Sequence, residues 1–293
     1  MAFALERLVA CGRPLSALRA CHGKFSPYEP ELIFRMLEGM LRGEEIETGI
    51  PESYYIQRAL EFVEKNSDQI DHQRLVGLEF ALVRLLGFQG EHHAKTLYHA
   101  IMSQPELFVE LLCILYRPSN GEPREPDEGL KVAAHNAWQV LHHCKRQPGT
   151  DSDDSIDPAK FSAFVAEARR LATEQDRLVV CDIRLGEIMA YAPEGADGIW
   201  PFDPVRDALE TTDSVELHRG FSTGCFNKRG VHSRGMFDGG EQERGLAAYY
   251  RRQADALEAS HPKLAATLAG LARSYDKDGL VEDLEARLRR EGH

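Results

Sequence analysis

Apolar residues recur every three to four positions along most of this chain, and this period is typical of amphipathic helices. Proline begins several of these predicted helices, as at Pro14 and Pro105, because it is well tolerated in the first helical turn. Glycine closes others, as at Gly23 and Gly43. The pattern predicts helices over residues 2–11, 14–22, 31–42, 51–65, 72–88, 91–103, 105–116, 130–146, 158–174, 178–191, 204–212, 213–224, 241–259, 262–275 and 276–291.

The strength of the period varies along the chain. Residues 72–88 carry a wide stripe of leucines, which predicts a helix buried on most sides. Residues 178–191 begin "LVVC" and also suit a short strand, but no partner strand is evident elsewhere, so we expect a helix. The predicted fold class is therefore all-α: an irregular TPR- or HEAT-like helical array followed by a C-terminal helical bundle. No fixed-period repeat is present.

Two segments interrupt the helical pattern and predict the domain organisation. Residues 117–129 hold three prolines, and residues 147–157 read "QPGTDSDDSID". We predict an N-terminal array over residues 1–116, a linker over 117–129 and a C-terminal domain over 130–293. The helical period already begins at Phe3 without a capping residue, which favours a chain that is part of something longer.

Charge and composition narrow the classes of function. The chain has 293 residues and a formal net charge of -12, which disfavours a protein that grips a nucleic-acid backbone. Six scattered cysteines without a CxxC pair look like buried apolar residues. The N-terminus lacks the pattern of a secretory signal, and no apolar run is long enough for a bilayer. We expect a cytoplasmic protein.

The familiar signatures of metal and catalytic sites are missing. His135, His142, His143 and Cys144 share one predicted helix, but their spacing is not that of a zinc site, and His92, His93 and His99 form a similar loose group. Counted as a calcium loop from Asp151, the acidic segment has Ile156 and Ser162 where glycine and glutamate are needed. No nucleophile or metalloprotease motif occurs. We predict no cofactor and no metal, and no catalytic residue can be named.

The stretch "GCFNKRGVHSRGMFDGGEQERG", residues 224–245, is the strongest candidate for a functional loop. Its glycine spacing fits neither the phosphate loop GxxxxGK(S/T) nor a dinucleotide fingerprint. Its basic side chains, ahead of a predicted helix, could contact an anion or a protein partner. These candidates are Lys228, Arg229, His232 and Arg234. The alternative is an internal ion pair, because Asp238, Glu241 and Glu243 follow closely.

Four segments carry a resemblance to a known type of protein region. They are "LEFALVRLL", "ELFVELLCILYRP", "GADGIWPFDPVRDALE" and "GFSTGCFNKRGVHSRGMFDGGEQERGLAAYYRRQADAL". With them the chain resembles the C-terminal α-helical repeat-like region of large, multidomain bacterial proteins. The resemblance implies a helical arm attached to other domains, in some cases in proteins of phage defence, and it transfers no catalytic residue.

Two functional hypotheses follow. The first is a protein-interaction, sensing or scaffold module, which binds a protein partner or upstream domain by a concave helical surface or by the 224–245 loop. The second is a ligand-binding or catalytic domain with an anion site in that loop. The missing catalytic motifs favour the first.

Overall fold

The computed structural model describes residues 2–42, 50–86, 94–118, 121, 128–151, 154–230, 235 and 238–291, and every structural statement below refers to these residues. They contain helices and no strand; Thr150 and Ile156 form one isolated antiparallel bridge. The prediction of an all-α chain is confirmed. None of the described helices is both long enough and apolar enough to cross a bilayer.

The helices are numbered here in chain order. Their bounds are α1 Ala2–Ala10, α2 Pro14–Ala20, α3 Pro30–Arg42, α4 Ile50–Lys65, α5 His72–Leu86, α6 Lys95–Ser103, α7 Pro105–Leu115, α8 Glu128–His143, α9 Pro158–Glu174, α10 Leu178–Met189, α11 Asp203–Thr211, α12 Val215–Lys228, α13 Glu241–Leu257 and α14 Pro262–Arg290. A short 3-10 turn, Ser67–Gln69, follows α4.

Local sequence explains several helix starts. The carboxylate of Asp157 accepts hydrogen bonds from the backbone N–H groups of Ala159 and Lys160, so it caps α9 as the Asp-Pro pair predicted. The hydroxyl of Ser214 caps α12 through the N–H of Leu217. Pro14 and Pro105 occupy the first turns of α2 and α7, where a missing N–H costs nothing.

The chain divides into two compact units, Met1–Cys144 and Lys145–His293. The predicted boundary lay at residues 117–129, and the structure differs there. α8, which the sequence pattern placed in the C-terminal domain, packs against α5 and α7 of the N-terminal unit. Its buried Val140 and Leu141 bring it there, because an amphipathic helix joins the unit that covers its apolar face.

The N-terminal unit comprises α1 to α8, which pack mainly on their neighbours in sequence. Its core consists of large apolar side chains, and α5 supplies the predicted stripe of Leu75, Leu78 and Leu82. Phe34, Leu60 and Phe108 are fully buried. This unit is held by ordinary side-chain packing.

The C-terminal unit comprises α9 to α14. The connector between α10 and α11 is fixed by Trp200, since its buried indole N–H donates to the carbonyl of Ala192 at 2.8 Å. The segment at 178–191 is helical, so the strand alternative is wrong.

Two helix boundaries near the C-terminus differ from the predictions. The chain from 262 to 290 forms one helix, although two were expected with a break after Tyr275. Gly279 lies inside this helix and its backbone packs directly against Gly240, where an added Cβ atom would lie less than 3.0 Å from the backbone of Gly279. The other difference is that α12 continues to Lys228, past the predicted end at residue 224.

Candidate functional site

The stretch 224–245 was predicted to be a loop, but both of its ends are helical and the connection between them is shorter than expected. Its first five residues end α12 and its last five begin α13, so the connection runs only from Arg229 to Gly240. Gly224 is therefore a helix-packing residue. Of the four predicted contact residues, Lys228 and Arg229 can be placed, whereas His232 and Arg234 lie outside the described residues.

Arg229 forms an ion pair inside the protein. Its guanidinium contacts the carboxylate of Glu243, which is almost completely buried on α13. The same guanidinium lies 5.5 Å from the ring centroid of Tyr275 on α14, within the range of a cation–π contact. Arg229 thus joins the end of α12 to both following helices. The internal ion pair, one of the alternatives drawn from the sequence, is present here.

Lys228 also contacts the protein itself. Its ammonium lies 5.1 Å from the ring centroid of Trp200 and donates to the carbonyl of Ala190 at 3.3 Å. Burial lowers the pKa of Lys228, and the charges of Cys225 and Glu194 oppose this shift. These contacts orient the side chain across the start of the connection.

Backbone donors of the connection are already matched to carboxylates of this chain. The N–H of Gly235 donates to Asp238 at 2.7 Å, and the N–H of Gly240 donates to Asp283 of α14 at 2.8 Å. The bond from Gly240, together with the nearby guanidinium of Arg244, lowers the pKa of Asp283. The carboxylate of Asp283 lies where an anion at the N-terminus of α13 would bind.

The side chains beneath this connection form an aromatic cluster. The rings of Tyr250 and Tyr275 stack with centroids 5.7 Å apart, and Trp200 stacks on Phe221 at 5.3 Å. Burial raises the pKa of the neighbouring Cys225 thiol to about 12. A thiol with so high a pKa is a poor nucleophile at neutral pH, so the cluster serves packing.

The backbones of α10 and α12 meet at three glycines. A Cβ atom at Gly186, Gly220 or Gly224 would lie less than 3.0 Å from backbone atoms of the facing helix. Gly220 and Gly224 are four residues apart, which places them on one face of α12. This spacing was readable in the sequence, but Gly224 was interpreted there as the start of a loop.

A buried pair of carboxyl groups lies in the N-terminal unit, and no motif in the sequence predicted it. Glu79 of α5 accepts a hydrogen bond from the N–H of Leu97 at 2.6 Å and is fully buried. Burial raises its pKa to about 8, and the charge of Glu64 on α4 adds to the shift. Burial likewise raises the pKa of Glu64 to about 7.

The position of this pair explains its structural role. α6 begins after Ala94, which has no side chain able to cap it. The carboxyls of Glu64 and Glu79 accept from backbone N–H groups in the first turn of α6. A polar residue following Val63 and another between Leu78 and Phe80 were the only signals in the sequence.

No metal site is formed by the described residues, in which no three His, Cys, Asp or Glu side chains converge. His92 and His93 fall outside them. On α8, His142 stacks on Trp138 with ring centroids 5.0 Å apart, and the ring of His135 lies 6.4 Å from the same indole. The rings of His135 and His142 therefore pack around the indole of Trp138.

Two helices carry exposed apolar side chains. On α8 they are Leu130, Val132 and Trp138, each at least 40% exposed, and their spacing places them on different sides of the helix. On α14 they are Leu280, Val281, Leu284 and Leu288, which share one face. A row on one face, as on α14, marks a contact surface more often than scattered apolar residues do.

Comparisons with known proteins give no relative for this chain. No protein-family model, no curated protein and no solved structure matches it.

Proposed function

We propose that this chain is a protein-interaction module, built on an irregular TPR- or HEAT-like array of helices in its N-terminal unit. The observation that carries the proposal is the exposed tryptophan of α8. Trp138 is 40% exposed, although tryptophan is among the residues that gain most from burial.

The position of α8 in its unit supports this assignment. It is the last helix of the N-terminal unit and packs on α5 and α7 through Val140 and Leu141. In helical arrays each helix contacts its neighbours, so a terminal helix has one side left over. Tryptophan is among the residues enriched at the energetic centre of protein interfaces.

This surface differs from those named from the sequence, which were a concave surface and the 224–245 loop. The loop is a weaker candidate, because Arg229 already contacts Glu243 and the N–H of Gly240 already contacts Asp283. The second hypothesis, an anion site in the loop, stays a prediction, since His232 and Arg234 are not among the described residues.

Affinity purification from a lysate of the source cells tests the proposal, with the wild-type chain and the Trp138→Ser variant as baits and mass spectrometry as the readout. A partner retained in stoichiometric amount by the wild type should be lost with Trp138→Ser. The melting temperature is measured alongside and should stay well above the assay temperature, although the lost stacking on His142 lowers it.

Phe3→Ser is the matched control, since Phe3 is an exposed aromatic residue of α1 that contacts Arg7. It should retain the partner. If Trp138→Ser retains the partner as well as the wild type does, or if no bait retains any protein, the proposal is wrong.

A further inference from the structure

The C-terminal half of α14 has an apolar face that its own unit does not use. Leu280 is 70% exposed, Val281 and Leu284 are each 49% exposed, and Leu288 is 39% exposed. Leu280, Leu284 and Leu288 are four residues apart and form one ridge along the helix. Val281 lies beside this ridge.

The opposite face of the same helix packs against its own unit. Tyr275, Gly279 and Ala286 are buried, and Gly279 lies against the backbone of Gly240. The helix therefore has two apolar faces, and packing within the unit needs only one. A surface helix that packs on one side ordinarily has polar residues on its outer side.

The charges along this part of α14 are segregated. The five residues Asp276, Asp278, Glu282, Asp283 and Glu285 precede the centre of the ridge or flank it. Three arginines follow, at 287, 289 and 290. A helix with an acidic first part and a basic second part complements a copy of itself only when the two run in opposite directions.

We propose that a second copy of this chain covers the face, with the two α14 helices antiparallel and Leu284 at the two-fold axis. Leu280 then meets Leu288 of the second copy. Lys277 meets its Glu291. The arrangement is isologous, so every contact occurs twice.

The charges nearest the axis do not oppose this pairing. Asp283 and Glu285 would approach each other across the axis, but each is already neutralised within its own chain. Asp283 pairs with Arg244, and Glu285 pairs with Arg289, both at 2.5 Å. A parallel arrangement would instead place Lys277 against Lys277 and Glu291 against Glu291.

The contact is small, so we expect a weak dimer with a Kd of about 10–100 μM. It does not depend on the proposed function, since it involves the other unit and no residue of α8.

Disulfide trapping tests the geometry directly. Cys11 is the exposed native cysteine, so the variants are made in a Cys11→Ser background. Leu284→Cys places its thiol beside the same thiol of the second copy and should give a disulfide-linked dimer under mild oxidation. Leu280→Cys is the control, because its two thiols would lie about 12 Å apart along the helix axis. Equal trapping of both variants, or none of Leu284→Cys, would overturn the proposal.

Sedimentation velocity at about 100 μM, the upper end of the expected Kd, tests the same contact without trapping. The wild type should contain dimer, and Leu284→Glu should be monomeric with an unchanged melting temperature. Lys277→Glu should weaken the dimer, by about tenfold in Kd, because it places a glutamate beside Glu291 of the second copy. The double variant Lys277→Glu/Glu291→Lys should restore it, because the exchanged charges attract again only between antiparallel helices. A monomeric wild type, or a dimeric Leu284→Glu, would contradict the proposal.

Discussion

The helices inside the N-terminal unit and those inside the C-terminal unit are held together in different ways. In the N-terminal unit large side chains such as Phe34 and Phe108 fill the space between helices. In the C-terminal unit α10 and α12 meet through Gly186 and Gly220, where the two backbones come into direct contact. The comparison shows that helices of one chain can be held together by large side chains in one unit and by direct backbone contact at glycines in the other.

The buried charges differ in the same way. The N-terminal unit buries the carboxyls of Glu64 and Glu79 with raised pKa values. The C-terminal unit instead buries paired charges, as in Arg229 with Glu243 and Arg169 with Asp182. Burial favours the protonated form of the acids in the N-terminal unit, whereas the buried acids of the C-terminal unit lie beside arginines. The two units should therefore respond differently to the same perturbations.

The largest effect is expected from Gly220→Ala. The added Cβ would lie less than 3.0 Å from the carbonyl oxygen of Ile183, so α10 and α12 must separate. We expect the C-terminal unit to lose about 3 kcal/mol of unfolding free energy. Guanidinium unfolding can be followed by Trp200 fluorescence in a Trp138→Phe background, since each unit has one tryptophan.

Gly245→Ala is the matched control in the same unit. Gly245 lies in α13, and no atom lies within 4 Å of the position that an added Cβ would take. Alanine should therefore stabilise the helix by about 0.5–1 kcal/mol. If both substitutions change the stability equally, close backbone contact is not what holds α10 to α12.

Arg229→Met should have the next largest effect. It leaves the carboxylate of Glu243 buried without its ion-pair partner, which usually costs several kcal/mol. Because Arg229 is 18% exposed, water can replace part of the lost interaction, and we expect a loss of about 2 kcal/mol.

The double variant Arg229→Met/Glu243→Leu is the test of that explanation. With both charges removed, most of the stability should return, as measured by the same unfolding experiment. If the double variant is no more stable than Arg229→Met, the unpaired carboxylate of Glu243 is not the cause of the lost stability.

The smallest expected effect is a difference in pH dependence. The pKa of Glu79 is about 8 in the folded protein and about 4.5 when unfolded, so the folded state binds more protons between these values. Its contribution is fully present below about pH 4.5 and is lost as the pH rises through about 8. The slope approaches about 1.4 kcal/mol per pH unit for one proton.

Asp197 in the C-terminal unit acts in the opposite direction. Arg206 lowers its pKa to about 2, so its contribution is present above its unfolded pKa and is lost as the pH falls through about 2. Hydrogen exchange of each unit at about pH 5, 6.5 and 8, corrected for intrinsic rates, separates the two. Because the pKa of Glu64 is also raised, to about 7, the double variant Glu64→Gln/Glu79→Gln should abolish the loss of stability of the N-terminal unit between about pH 5 and 8. An unchanged loss would refute this assignment.

The sequence was sufficient for the features that depend on local pattern. The helical period predicted an all-α chain, and Asp157 with Pro158 predicted the start of α9. The interaction between basic and acidic residues around Arg229 was also foreseen as one alternative. Each of these depends on residues near one another along the chain, for which spacing is informative.

The features that escaped prediction depend on distant partners. A break was expected after Tyr275, but the helix continues through Gly279, whose backbone packs against Gly240. In the sequence Glu79 is not distinguishable from the other charged residues, but its carboxylate accepts a hydrogen bond from the N–H of Leu97 on another helix. α8 was assigned to the wrong unit because the linker before it resembled a boundary more than the segment after it. In each case the deciding contact lies between elements.

The glycine contact between α10 and α12 has a further consequence for motion. Helices that meet through side chains slide past one another by exchanging rotamers, and this is how packed helices undergo shear. At Gly186 and Gly220 there are no rotamers to exchange. The two helices must therefore move as one piece, and the direction in which the chain leaves α12 at Lys228 is fixed by α10.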